Sequence, residues 1–171
     1  MSDDIFLVKY DPDWVRQFDE EAFRLREVLS SSLLVRIDHF GSTAIPGLTA
    51  KPIIDILVGV NSLEEARTEA VSPLESIGYA FWSHNPDPDH FFFAKGLPPA
   101  PHRTHHVHMV RTESPFYERL LFRDYLRDHP DEAQRYSALK QDLAARFSQD
   151  REAYTQAKSD FIAEIMQKAK P

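Results

Sequence analysis

Residues 38–60 read DHFGSTAIPGLTAKPIIDILVGV, and the reading of this stretch decides the fold. A β-rich run ends at Phe40, a turn of small residues occupies Gly41 to Leu48, and a second apolar run, Ile53 to Val60, carries the single acid Asp55. The pattern is strand, loop of phosphate size, buried strand. On the second strand Asp55 shares a face with Ile53 and Leu57, while Ile54, Ile56 and Val58 point the other way. Apolar residues on both faces predict an interior strand covered on both sides. A carboxylate there is costly to bury unless a cation, a metal or hydrogen-bond donors meet it, so Asp55 is the first candidate for a functional site.

The turn has the chemistry of an anion site. Gly41 lets a ligand approach the backbone, and Ser42 and Thr43 add hydroxyl donors to the amides. Phosphate is the natural occupant; the competing reading is a tight turn whose hydroxyls satisfy local backbone groups. Lys51, between the turn and Asp55, can reach a phosphate as a point charge or remain solvated. His39, just before the turn, can donate to a phosphate or orient the loop.

A second cluster lies downstream in Arg103 to Val110, RTHHVHMV. In an extended chain Thr104, His106 and His108 share one face, and His105, Val107 and Met109 the other. Two imidazoles two residues apart on one strand can ligate one ion, and Asp55, His106 and His108 together make a two-histidine, one-carboxylate set. Alternatively, an imidazole hydrogen-bonds Asp55 and neutralises it without metal. Asp55 and His108 are accordingly the catalytic candidates. Arg103 and Lys95 flank the preceding loop and can supply charge to a triphosphate or sit as solvated surface groups. Arg123 and Arg127 fall on one helix face, suited to locking that helix onto the sheet.

Outward from these strands, Ile5 to Tyr10 is a short extended run, followed by a helix capped by Asp11 with Pro12 at its first position and Trp14, Phe18, Ala22, Leu25 and Leu29 at helical spacing. Trp14 and Phe18 can stack on a base, but aromatics at this spacing belong to a core. Ser62 and Glu65 form a capping box for a helix made irregular by Pro73; extended runs follow at Tyr79 to Trp82, His90 to Ala94 and Arg103 to Val110, the last two pairing as a hairpin. The remainder is helical: one helix from Ser114-Pro115, a second after His129-Pro130, and a third from Asp150 through Ile165, with QKAKP fraying at the end.

Composition bounds the function. With 171 residues and 42% hydrophobic content, residues 1–171 suffice for one domain, of which about 113–171 form a helical part packed on the sheet. A formal charge of −7 argues against a nucleic-acid binder but leaves room for a local basic pocket. The absence of cysteine excludes disulfides and cysteine-ligated zinc and fits a cytoplasmic protein. No apolar run is long enough to span a bilayer, and the MSDD start is unlike a signal peptide, so no membrane partner is expected.

The Gly41-Ser42 pair followed by an acid on a strand resembles the signature of the nucleotidyltransferase superfamily. The longer string GSTAIPGLTAKPIIDILVGV, with HFFFAKG, RTHHVHMV and LLFRDYLRDHP downstream, resembles its GrpB family over most of the chain. The resemblance implies an α+β fold, a nucleotidyltransferase-like mixed sheet covered by helices with a helical C-terminal part. It also implies a nucleoside triphosphate or other phosphorylated small molecule at Gly41 to Thr43, a divalent ion (magnesium, manganese or zinc), and transfer of a nucleotidyl group to an acceptor. Family relatives fused to a coenzyme A biosynthetic kinase imply a nucleotide-related context. The chain departs from the superfamily pattern at Leu57, where active members carry a second acid, and in the histidines that stand where a third acid is supplied. That departure shifts the donor set away from magnesium. It leaves a second expectation, a module that binds a nucleotide or phosphorylated metabolite without transfer.

Overall fold

A computed structural model of the chain describes residues 5–170; the MSDD start and Pro171 lie outside them. Helix α1 (Asp13–Val28) is followed by strands β1 (Leu34–Phe40) and β2 (Ile54–Val60), short helices α2 (Leu63–Glu69) and α3 (Val71–Ser76), and strands β3 (Tyr79–Phe81), β4 (Phe91–Lys95) and β5 (His105–Arg111). Helices α4 (Arg119–Asp128), α5 (Pro130–Arg146), α6 (Arg151–Gln156) and α7 (Ser159–Ala169) complete the mixed α+β fold. The sheet order is β1-β2-β5-β4-β3. β2 and β5 run parallel and the other neighbours antiparallel.

Strand alternation gives the sheet two unlike faces. Ile54, Ile56, Val58, Phe91, Phe93, Val107 and Met109 point to one side and pack with Trp14, Leu25 and Leu29 of α1 and its exit and with Ala66, Ala70 and Leu74 beneath α2 and α3. Trp14 is 2% exposed, so its helical spacing does mark core. On the other side Phe40, Leu57, Val110 and Leu120 form a small apolar cluster, beside which Asp55, His106 and His108 supply the polar groups. The third cluster joins Ile45 and Leu48 of the 41–48 turn to Leu126, Ala133, Tyr136, Phe161 and Ile165 of the C-terminal helices. The turn is thus sandwiched between sheet and helices.

The local signals read from the sequence act as expected at several helix starts. Asp11 Oδ1 accepts the Asp13 N–H at 2.9 Å, Ser62 Oγ accepts Glu65 N–H at 3.2 Å, and Ser114 Oγ accepts Phe116 N–H at 3.2 Å. The Ile5–Tyr10 run joins no ladder: it is held by the isolated bridge Val8–Ala50 and by the Ile5 N–H donating to the Ser148 carbonyl at 3.0 Å. Two expectations are corrected. The helix expected from Asp150 through Ile165 is two helices, α6 and α7, broken near Ala157; the apolar spacing continues across the break and conceals it. The QKAK segment does not fray, since α7 holds its backbone through Ala169, anchored by Phe161 and Ile165 in the core. Pro73 lacks the N–H that Glu69 would receive, and the helix splits there into α2 and α3.

Candidate functional site

The pairing register brings the predicted groups together. Phe40 pairs with Asp55 and Asp55 with His106, while Leu57 pairs with His108, so Asp55, His106 and His108 occupy one face of the parallel β2–β5 pair. His106 Nδ1 lies 3.1 Å from Asp55 Oδ1, and His108 Nε2 lies 3.8 Å from the same oxygen. Burial alone would raise the Asp55 carboxyl, but the two imidazoles outweigh it and hold the group well below the usual carboxylate range. His108 is itself pushed down by burial, against the pull of Asp55. His90, just before β4, contacts His108 Nδ1 through its Nε2 at 2.9 Å, and burial lowers His90 to about 4.

The turn closes over this cluster. Gly41 has φ 70, in the left-handed region, and a Cβ built on it would stand 2.5 Å from Asp55 Oδ2. Both the conformation and the contact require glycine. Ser42 to Ala44 then make a single 3₁₀ turn. Helix α4 grips the turn from outside: Arg123 donates to the His39 carbonyl at 2.7 Å and Arg127 to the Ala44 carbonyl at 2.8 Å, the locking role expected of this arginine pair.

His39 does not face the ligand side. It pairs with Ile56, points to the opposite face, is 7% exposed, stacks on Phe18 at 4.7 Å and contacts the Thr43 hydroxyl at 3.0 Å. It orients the turn and is excluded from direct contact with a ligand by strand parity. Burial lowers it to about 4. Lys95 is corrected likewise: instead of solvated surface it makes a 2.7 Å ion pair with Glu21, which is 1% exposed, on the apolar side of the sheet.

A cleft of about 1120 Å³ opens over the polar face. Gly41, Ser42, Thr43, Lys51, Asp55, Arg103, His106 and His108 all line it, so every predicted site residue except His39 reaches one cavity. The sequence reading missed Lys140 on α5. It is 2% exposed, lines the cleft, and its Nζ donates to Ser42 Oγ at 3.1 Å and to the Thr49 carbonyl. Burial lowers Lys140 to about 7. The only sequence signal was a lysine in register with Ala133, Tyr136 and Leu143 on the buried stripe of α5. Arg119, Arg123 and Lys158 also line the cleft, giving with Lys51, Arg103 and Lys140 six cationic side chains against the carboxylates of Asp55 and Glu118. In a chain of net charge −7 this is a strong local inversion.

The residues fit a transition ion. One donor atom each from Asp55, His106 and His108 lie within 4.8 Å of one another. Ligands of a tetrahedral ion at about 2.1 Å stand roughly 3.4 Å apart, so the set closes on an ion with side-chain rotations. The His90 contact to the far nitrogen of His108 is the outer support that metal-binding histidines use. Two nitrogens and one oxygen suit manganese or zinc over magnesium. His106 Nε2 is buried without a hydrogen-bond partner, as is Nε2 of His105 on the other face, so this feature alone does not mark a ligand.

The mixed sheet, the glycine-serine turn against an acidic strand, and the cation-lined cleft define an α+β protein with a broad cleft over the β2–β5 pair. The chain belongs to the GrpB family: the family model described as "GrpB protein" matches residues 4–168. It is similar to a UPF0157 protein of Pseudomonas aeruginosa, 47% identical over 98% of this chain and 68% of that protein, and to the UPF0157 protein YqkA of Bacillus subtilis, 40% identical over 96% of this chain and 47% of that protein. The chain therefore spans about half the length of the Bacillus relative. A dephospho-CoA kinase of Mycolicibacterium paratuberculosis is 31% identical over 95% of this chain and 45% of its own length. The crystal structure of conserved protein GrpB from Enterococcus faecalis superposes with a TM-score of 0.86 at 36% identity, covering 96% of both chains. No helix among the described residues is long and apolar enough to cross a membrane.

Proposed function

We propose that the cleft binds a nucleoside triphosphate or another phosphorylated small molecule, its phosphates at the Gly41–Thr43 turn and its divalent ion, manganese or zinc before magnesium, on Asp55, His106 and His108. The observation that carries this reading is the charge of the cleft: six lysine and arginine side chains line it against the carboxylates of Asp55 and Glu118, and one of them, Lys140, bonds Ser42 of the turn. Such an arrangement matches a polyphosphate and its ion and little else. The nucleotidyltransferase-like order of turn and acidic strand, and the likeness to part of a dephospho-CoA kinase, support a nucleotide over inorganic phosphate.

The reaction that such a site supports is nucleotidyl transfer. An acceptor hydroxyl oxygen forms a bond to the α-phosphorus, the bond to the pyrophosphate oxygen breaks, and the hydroxyl proton passes to solvent; His108 takes it only where it does not hold the ion, since its Nε2 faces Asp55 and its Nδ1 contacts His90. Lys140 and the arginines offset charge on the departing pyrophosphate, and the turn fixes the line of attack. Asp55, His106 and His108 would hold the ion, which would supply positive charge to neutralise the phosphates.

Leu57 favours a second reading, a binding module without transfer. It is fully buried against Phe40, Val110 and Leu120, so the position that would supply a second acid is part of the core. Thermal-shift screening with ATP, tripolyphosphate, manganese and zinc tests binding, and incubation with labelled ATP and candidate acceptors tests transfer. Stabilisation by ATP with manganese together with pyrophosphate release supports the enzyme. Stabilisation without release leaves the module, and no stabilisation by any anion removes both.

A further inference from the structure

Strand parity sets the cleft-facing side chains in rows across the sheet. One row runs Asp38, Leu57, His108 and Phe92 over β1, β2, β5 and β4. The Trp82 N–H donates to the Phe92 carbonyl at 2.9 Å, which continues the β3–β4 ladder by one residue and adds Trp82 to the end of that row. The indole meets the Phe92 ring edge-on, centroids 5.9 Å apart at 82°. Its position is fixed by backbone and ring contacts, yet half its surface, 50%, is open.

Six large apolar side chains among the described residues are exposed, and Trp82 is the one of them that lines the cleft. Scattered exposed apolar groups are ordinary on a protein surface; a half-open indole lining the same cleft as six lysine and arginine side chains is placed to meet a ligand held there. Three strand spacings, about 14 Å, separate β2, which carries Asp55, from β3, which Trp82 follows. Ala80, next to it on the same face, is small and exposed, leaving space beside the indole.

We propose that Trp82 is the platform for an aromatic ring of the ligand, a nucleobase, so that the ligand lies across the sheet with its phosphates at the β1–β2 turn and its base beyond β4. The inference rests on the anion-binding reading above and adds the polarity of the ligand and its recognition element. A flat aromatic face on an indole gains both dispersion and exclusion of water without demanding a particular base. The Trp82 platform therefore selects nucleotides over bare polyphosphates and discriminates weakly among bases.

The test compares two probes, ATP and inorganic tripolyphosphate, each titrated by calorimetry in the presence of manganese into the full chain and its Trp82→Ala and Trp82→Phe variants. The expected result is that the full chain prefers ATP by roughly tenfold or more, in keeping with the usual strength of base stacking. Trp82→Ala erases the preference, Trp82→Phe keeps most of it, and all three bind tripolyphosphate equally. Trp14 is buried, so quenching of tryptophan emission by ATP, absent with tripolyphosphate, reports directly on Trp82. Equal affinity of the full chain for the two probes, or equal weakening of both by Trp82→Ala, overturns the platform while leaving the anion site intact. Binding of neither probe overturns the anion site and the platform together.

Discussion

The two faces of the sheet come from the same strands, and each holds a carboxylate in a different way, Glu21 fully buried and Asp55 with 28% of its side chain open. On the apolar face Glu21 meets Lys95 at 2.7 Å and Arg24 at 3.1 Å. Burial would raise its pKa, yet Lys95 outweighs that and holds it low. On the cleft face Asp55 meets two imidazoles, groups that carry full charge only when protonated. A buried acid matched by permanent cations is closed within the protein. A part-open acid matched by imidazoles still has an attraction to offer an ion, and of the two only Asp55 lines the cleft.

Substitutions sharpen this contrast. Leu57→Asp should be the most damaging, because it puts a second acid into the apolar cluster of the cleft face; a loss of about 5 kcal/mol or failure to fold is expected in urea unfolding. A stable Leu57→Asp protein that gains magnesium affinity would show instead that this position belongs to the site. Phe93→Ala empties the fully buried opposite face and should cost about 3–5 kcal/mol while leaving manganese affinity of the folded fraction unchanged. An altered manganese affinity would mean that the faces are coupled through β4.

Gly41→Ala acts on the cleft face alone. The left-handed backbone and the collision with Asp55 should cost about 1–3 kcal/mol, and calorimetry should show manganese and ATP binding reduced more than tenfold. Unchanged binding would uncouple the turn from the acid. The smallest effect is a pH dependence. Lys140 is lowered from its ordinary 10.5 to about 7, so between those values the unfolded chain keeps a proton that the folded chain has released. Stability therefore rises with pH across that window, by about 1 kcal/mol from pH 7 to 8. Lys140→Met should abolish that rise, and an identical pH profile in the variant would assign the rise to other groups.

Where the sequence was readable, it was because the signal was local or periodic. Ser62, Ser114 and Asp11 cap helix starts through bonds two or three residues away, and alternation alone placed His106 and His108 on one strand face. Lys140 and Trp82 escaped because nothing local distinguishes a buried lysine from a solvated one, or a half-open indole from a core one. The sequence leaves His39 open between two roles, donor to a phosphate or support for the loop; parity with Ile56 turns it to the other face, where it contacts Thr43, which leaves the second.

From its residues alone the chain determined its family, its mixed α+β class, the order of turn and acidic strand, and the two faces of each strand, because these follow from spacing along one backbone. Tertiary structure decided which strands are neighbours. Only the parallel pairing of β2 with β5 sets Asp55 beside His106, and only the return of α5 over the turn brings Lys140 to Ser42, 98 residues earlier in the chain. Such meetings depend on how whole elements bury their apolar faces against one another, which is a property of the packed core and not of any single segment.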